Sequence, residues 1–151
     1  MVIRNAEAKD CEQCLTLLRQ LWKPAYDLDS IQEGTFSSED LNVLYGCILD
    51  NPNCEVVIAE KDERVVAMMD LSFRETFLHG GLMMQIEDLI VDAKYRRQGI
   101  GQRMVGLAEE MAVSRGCRAA ELNSDLYREA THRFWEAMGY EIGAYQLRKA
   151  L

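Results

Sequence analysis

The chain has 151 residues, enough for one domain with a substantial core. Hydrophobic residues make up 48% and charged residues 28%, the balance of a soluble globular protein, and no apolar run approaches the ~20 residues that cross a bilayer. The net charge of −8 disfavours nucleic acid as a partner and suits a cationic small molecule or a basic peptide.

The first residues, "MVIRNAEAKD", carry acids and no apolar h-region, so no signal peptide is expected and the cytoplasm is the expected location. "VIRNA" reads as a short strand. Cys11, Cys14, Leu15, Leu18, Leu21 and Trp22 recur at helical spacing, and that helix ends before Pro24. Cys11 and Cys14 form a C-x-x-C. The five cysteines are an odd count, and no second Cys or His pair completes a zinc site, so the two are expected to share a buried helix face and no metal is expected. "SSEDLNVLYGCIL" opens with Ser37 and Asp40 in capping-box spacing, followed by an apolar face of Leu41, Leu44, Tyr45 and Ile48.

"CEVVIAE" and "RVVAMMDLSF" are β-rich and separated by the charged turn Lys61-Asp62-Glu63. "HGG" marks a second turn and "LMMQIEDLIV" a third strand, so residues 54–91 read as an antiparallel meander. Met104, Leu107, Ala108 and Met111 predict a helix from Gly101 to Arg115, closed by Gly116. "CRAAELN" reads as a strand. Ala130, Phe134, Ala137 and Met138 mark a last helix stopped by Gly139, and "YEIGAYQLRK" closes as a strand. The expectation is a single α/β domain over residues 1–151, in the order β-α-α-β-β-β-α-β-α-β.

The chemistry concentrates in "EDLIVDAKYRRQGIGQRM", Glu87 to Met104. A strand ending near Val91 feeds a helix starting near Gly99. The first amides of a helix lack intrahelical partners, and the dipole places partial positive charge there. Gly99 and Gly101 allow close approach to the backbone, and Arg96 and Arg97 add fixed charge. A pyrophosphate suits such a seat. The spacing is neither G-x-x-x-x-G-K-[ST] nor G-x-G-x-x-G, which excludes those two nucleotide motifs.

"RRQGIG" resembles the R/Q-x-x-G-x-G/A motif of the GNAT superfamily of N-acetyltransferases. "IEDLIVDAKYRRQGIG" is similar to the fourth strand, turn and third helix start of that fold. "REATHRFWEAMGY" resembles the family's late segment, and the element order agrees over nearly the whole chain. The resemblance implies a mostly antiparallel sheet flanked by helices, with acetyl-CoA as acetyl donor. It implies that the backbone of Leu89, Ile90 and Val91 pairs with the pantetheine arm. Arg96 takes the motif's first position, and backbone amides of Arg97, Gln98, Gly99, Ile100, Gly101 and Gln102 hold the pyrophosphate.

Acetyl transfer to an amine requires a neutral nucleophile, and an alkyl ammonium with a pKa of about 10.4 costs about 4.6 kcal/mol to neutralise at pH 7. Glu87 is the first choice for the general base and Asp88 the second. Adjacent strand residues point to opposite faces, a rule that a bulge, typical of this fold here, relaxes. Trp135 stands where the family often has the tyrosine that protonates the leaving thiolate, and Arg128 where many members have asparagine. Tyr127 and Tyr140 are the nearby substitutes. His132 is expected to be structural or exposed. Tyr26, Tyr45, Phe73 and Phe77 are candidates for the acceptor pocket, although core packing is the commoner role for aromatics. The expected substrate is a primary amine of a small molecule such as a polyamine, an amino sugar or an aminoglycoside. The alternatives are an acyl-CoA sensor without turnover and a peptide or protein N-acetyltransferase. A homodimer is the base-rate expectation.

Overall fold

The computed structural model describes residues 1–22, 38–124, 128–147 and 149. They divide into two compact units, Met1–Glu121 and Leu122–Leu151. The elements are β1 (Val2–Asn5), α1 (Cys11–Trp22), α2 (Ser38–Asp50), β2 (Cys54–Lys61), β3 (Arg64–Thr76), β4 (Gly81–Val91), α3 (Ile100–Ser114), β5 (Ala119–Leu122) and α4 (Glu129–Ala137). The strands form one mixed sheet in the order β1-β2-β3-β4-β5.

The meander expected over residues 54–91 is present, with β1–β4 paired antiparallel throughout. Its first hairpin closes through Asp62 and Glu63, both left-handed at φ 51° and 59°. That is the conformation of a type I′ turn, whose twist matches the flanking strands. Alternation then sorts the side chains. Val56 and Ile58 of β2, Met68 of β3 and Ile90 of β4 pack with Cys14, Leu15, Leu17 and Leu18 of α1 and Tyr45 of α2. Val57, Ala59, Met69 and Leu71 are buried on the other face, where α3 covers β2–β4 with Met104, Val105 and Ala108. The C-x-x-C pair meets its structural expectation. Cys14 is fully buried, and the half-buried Cys11 donates its thiol to Asn42 Oδ1 at 3.4 Å.

In the second unit, α4 stops at a left-handed Gly139 (φ 88°), and Tyr140 N donates to Trp135 O at 3.0 Å. Trp135 is buried, edge-on to Phe134 at 4.9 Å and to Tyr140 at 5.3 Å. The strand expected at "YEIGAYQLRK" is a correction. Residues 140–147 form no strand, and Ile142, Tyr145 and Leu147 are exposed. Alternating apolar residues suggest a strand, but a strand needs a ladder partner, and Gly143 and the polar positions between supply little to pack. Ser37, expected to cap α2, lies outside the described residues.

Candidate active site

Two features of β4 build the site. The first is a bulge. Asp70 of β3 is the partner of Asp88, but Leu71 is the partner of Ile86, so Glu87 is the extra residue between them. Ser72 lies on the same face of β3 as Asp70, two residues on, and its Oγ donates to Glu87 Oε1 at 2.5 Å. The bulge therefore brings Glu87 to the face that Asp88 occupies, and the alternation that would have separated them is relaxed. Glu87 is exposed and Asp88 half-buried.

The bulge also collects a residue that the sequence reading missed. Asp70 sits in the apolar run "VVAMMDLSF", where its neighbours made it read as a strand position rather than a site. Its Oδ1 is buried without a hydrogen-bond partner. Burial first, then the charges of Asp88 and Glu87, push its carboxyl up to about 7, against the opposing pull of the Asp88 and Asp70 backbone amides. The visible signal was a carboxylate at the centre of a hydrophobic strand, an arrangement that proteins avoid without a partner or a purpose.

The second feature is the end of β4. β5 has four residues, and Arg118, just before it, donates its amide to Leu82 O at 2.8 Å near the start of β4. β5 thus runs out level with the middle of β4. Among the described residues no strand pairs with Leu89–Val91 on that side. Ile90 is buried in the α1 core, whereas Leu89 and Val91 are half-buried.

Past Val91 the chain turns through Asp92, which is buried and accepts from Lys94 N at 2.9 Å. Arg96 reaches back, its Nε donating to Val91 O at 2.9 Å, so that carbonyl already holds an internal donor. Arg97 is left-handed at φ 59° and Gly99 at φ 77°. A left-handed Gly99 followed by helical Ile100 makes successive amides converge, the geometry of an anion-binding nest. The first intrahelical bond is Arg103 N to Gly99 O at 3.1 Å, so the amides of Ile100, Gly101 and Gln102 have no intrahelical acceptor. Arg96, Arg97, Gln98 and Gln102 are exposed around them. The expected residues thus form two groups, a carboxylate group at the bulge and a set of converging amides at the start of α3, joined by the open end of β4.

The Acetyltransferase (GNAT) family matches residues 15–140. The chain belongs to the GNAT acetyltransferase family. With the family comes acyltransferase chemistry. The GNAT chain is 27% identical over 149 residues to the aminoalkylphosphonate N-acetyltransferase of Salmonella typhimurium, covering 99% of this chain and 90% of that protein. It is 31% identical over 86 residues, 56% of each protein, to the glucosamine 6-phosphate N-acetyltransferase of Trypanosoma brucei brucei. The crystal structure of a transcriptional regulator from Bacillus halodurans C-125 superposes with a TM-score of 0.86 at 26% identity, over 99% of both chains.

The aromatic candidates for the GNAT acceptor pocket fall into two groups among the described residues. Tyr45 is buried with its hydroxyl donating to Glu7 O at 3.1 Å. Phe73 is buried under the Arg115 guanidinium at 4.1 Å. Both are core residues, held by the packing that aromatic side chains commonly serve. Phe77 is fully exposed in the β3–β4 turn. Tyr26 and Tyr127 lie outside the described residues, as does the segment 23–37. Among the described residues no group of three His, Cys, Asp or Glu side chains is arranged to hold a metal ion, and no helix is long and apolar enough to cross a membrane.

Proposed function

We propose that this chain transfers the acetyl group of acetyl-CoA to a primary amine of a small molecule, acting as one domain over residues 1–151. The observation that carries the reading is the alignment of three parts along β4: carboxylates at the bulge, an open strand end, and converging amides at the start of α3. In this reading the amides of Arg97 to Gln102, with the Arg96 charge, hold the pyrophosphate of acetyl-CoA. The backbone of Leu89, Ile90 and Val91 receives the pantetheine arm as an added strand. Of these, Val91 offers least through its carbonyl, since Arg96 Nε occupies it.

Glu87 takes the proton from the acceptor ammonium, with Asp88 as the alternative base. The neutral nitrogen then attacks the thioester carbonyl, and collapse of the tetrahedral adduct breaks the C–S bond. The departing thiol has a pKa of about 8.5, so it leaves with little acid assistance. Trp135 in the family's tyrosine position is compatible with that, since an indole N–H does not titrate usefully.

The family match and the likeness to an aminoalkylphosphonate N-acetyltransferase support a small amine as acceptor, with polyamines, amino sugars and aminoglycosides as the wider class. A cytoplasmic homodimer is part of the same proposal, on base rates alone. Trp135 favours one second reading, an acyl-CoA sensor that binds without turnover. The test is calorimetry with acetyl-CoA at near-physiological salt, followed by a turnover screen against amines, aminophosphonates, aminoglycosides and peptides with detection of free thiol. Binding with turnover on small amines supports the reading. Tight binding with no turnover supports the sensor, and no binding at millimolar acetyl-CoA removes both.

A further inference from the structure

Asp70 is left over when the bulge carboxylates have been assigned to the acceptor. It is the direct partner of Asp88 in the β3–β4 register. Opposed residues of an antiparallel pair present their side chains to the same face, with Cβ atoms about 5 Å apart. Here that face is the α1 side, where Met68, Ile90, Val56 and Ile58 form the core. Asp70 continues that apolar row to the edge of the bulge, with its Oδ1 enclosed and unpartnered. An enclosed carboxylate oxygen without a donor is costly when ionised, and two carboxylates sharing a site cannot both ionise cheaply. One proton between the two relieves both costs.

The groups around Asp70 reinforce this. From β4 they are Asp88 and Glu87. From β2 it is the Cys54 thiol, which burial and the charges of Asp70 and Glu87 push up. On α1 and α2, which cover this face of the sheet, the buried Cys14 and Tyr45 interact with each other. Glu12, Arg19, Glu39, Asp40 and Asp50 on those helices are exposed.

We propose that Asp70 is a positioning residue for proton transfer: it shares one proton with Asp88 across the β3–β4 ladder and so sets the pH at which the bulge carboxylates can take the proton of the acceptor ammonium. The inference rests on the acetyltransferase reading. While the shared proton is present, Asp88 is neutralised and the bulge is a poor proton acceptor. Once it is lost, Asp88 is ionised and the bulge can accept a proton. The ammonium gives one proton to the bulge, the nitrogen lone pair forms the new C–N bond, and the C–S bond breaks. The thiolate takes the second nitrogen proton, and the first passes to water as product leaves. Atoms and charge balance with no other reactant.

The experiment combines a carbon-13 carboxyl titration with the pH dependence of kcat/KM, on the parent, Asp70→Asn and Asp70→Glu. In the parent, Asp88 is expected to report a coupled titration extending above pH 6, and the acidic limb of kcat/KM to follow it. In Asp70→Asn, both are expected to fall by at least one pH unit with the fold intact by circular dichroism. Asp70→Glu restores the parent profile. An Asp88 that titrates in the ordinary carboxylate range in the parent overturns the shared proton whether or not any amine is acetylated. An acidic limb unmoved by Asp70→Asn overturns the role in catalysis. A parent that titrates as expected but acetylates no amine overturns the acetyltransferase reading and the role within it, and leaves the shared proton standing as a separate result.

Discussion

Ser72 holds Glu87: its Oγ donates to Glu87 Oε1 at 2.5 Å, across the position where the β3–β4 register slips. In the proposed function the bulge places Glu87 on the acceptor side, and the Ser72 hydrogen bond orients it. Glu87→Gln is expected to lower kcat by about 10²–10⁴, the usual effect of losing a general base. Ser72→Ala should cost less, about tenfold, because the carboxylate survives but is free to turn. Both should leave the affinity for acetyl-CoA within a few-fold of the parent, since the proposed anion seat is built from α3. Steady-state kinetics with calorimetry checks this, and unchanged kcat in Glu87→Gln would move the base to Asp88 or to water.

Asp70 should make the protein less stable as pH rises. Its carboxyl is raised from 3.8 to about 7 in the folded protein, so between those values the folded state binds more protons than the unfolded one. Stability fully present below the unfolded value is then lost progressively up to about pH 7. At ~1.4 kcal/mol per pH unit the loss is at most about 4 kcal/mol. Asp70→Asn should flatten urea-melt stability across pH 4–8 and exceed the parent at pH 8. A parent curve that rises through this window would contradict the burial argument.

Asp10 has the opposite sign. Its carboxylate is buried, takes both Arg4 Nη atoms at 2.7 and 3.0 Å, and accepts from Glu7 N at 2.8 Å. The Arg4 hydrogen bonds lead in holding its pKa below the ordinary aspartate value, against burial. This stability is present above the unfolded value and lost as pH falls through the depressed folded value. Asp10→Ala leaves Arg4 with Glu60 and the Asn5 carbonyl and should cost about 2–3 kcal/mol at neutral pH. The cost should shrink in acid. A thermal-melt series in pH distinguishes this from a pH-independent packing loss.

The legible parts of the sequence were those set by local physics. The Lys61-Asp62-Glu63 turn, the glycine-flanked start of α3 and the apolar stripes of α1 and α3 follow from turn chemistry and periodicity, and each stands where expected. "YEIGAYQLRK" had strand-like alternation but no ladder partner among the described residues, a long-range condition that no local pattern reports. The helix start proposed as the anion seat was legible because it needs only a few consecutive residues. The carboxylate group was half legible. Glu87 and Asp88 are adjacent in sequence, whereas Asp70 reaches them only through cross-strand register, and register is fixed by pairing rather than by composition.

Gly101 separates the cost of a side chain to the fold from its cost to the ligand. It lies in the first turn of α3, where alanine is a better helix former than glycine by up to about 1 kcal/mol. Gly101→Ala should therefore raise Tm by about 2–4 °C if the full propensity gain is realised. The same methyl adds bulk to the turn whose amides lack intrahelical acceptors, where the proposed pyrophosphate must approach the backbone, and acetyl-CoA affinity should fall by about tenfold or more. Gly106 is the control. It sits in the same helix, and an added Cβ there meets nothing within 4 Å. Gly106→Ala should gain similar stability and bind acetyl-CoA as the parent does. Opposite movements of Tm and affinity in Gly101→Ala, with no loss of affinity in Gly106→Ala, locate the anion at the start of α3. Equal acetyl-CoA affinities in the two variants would place it elsewhere on the chain.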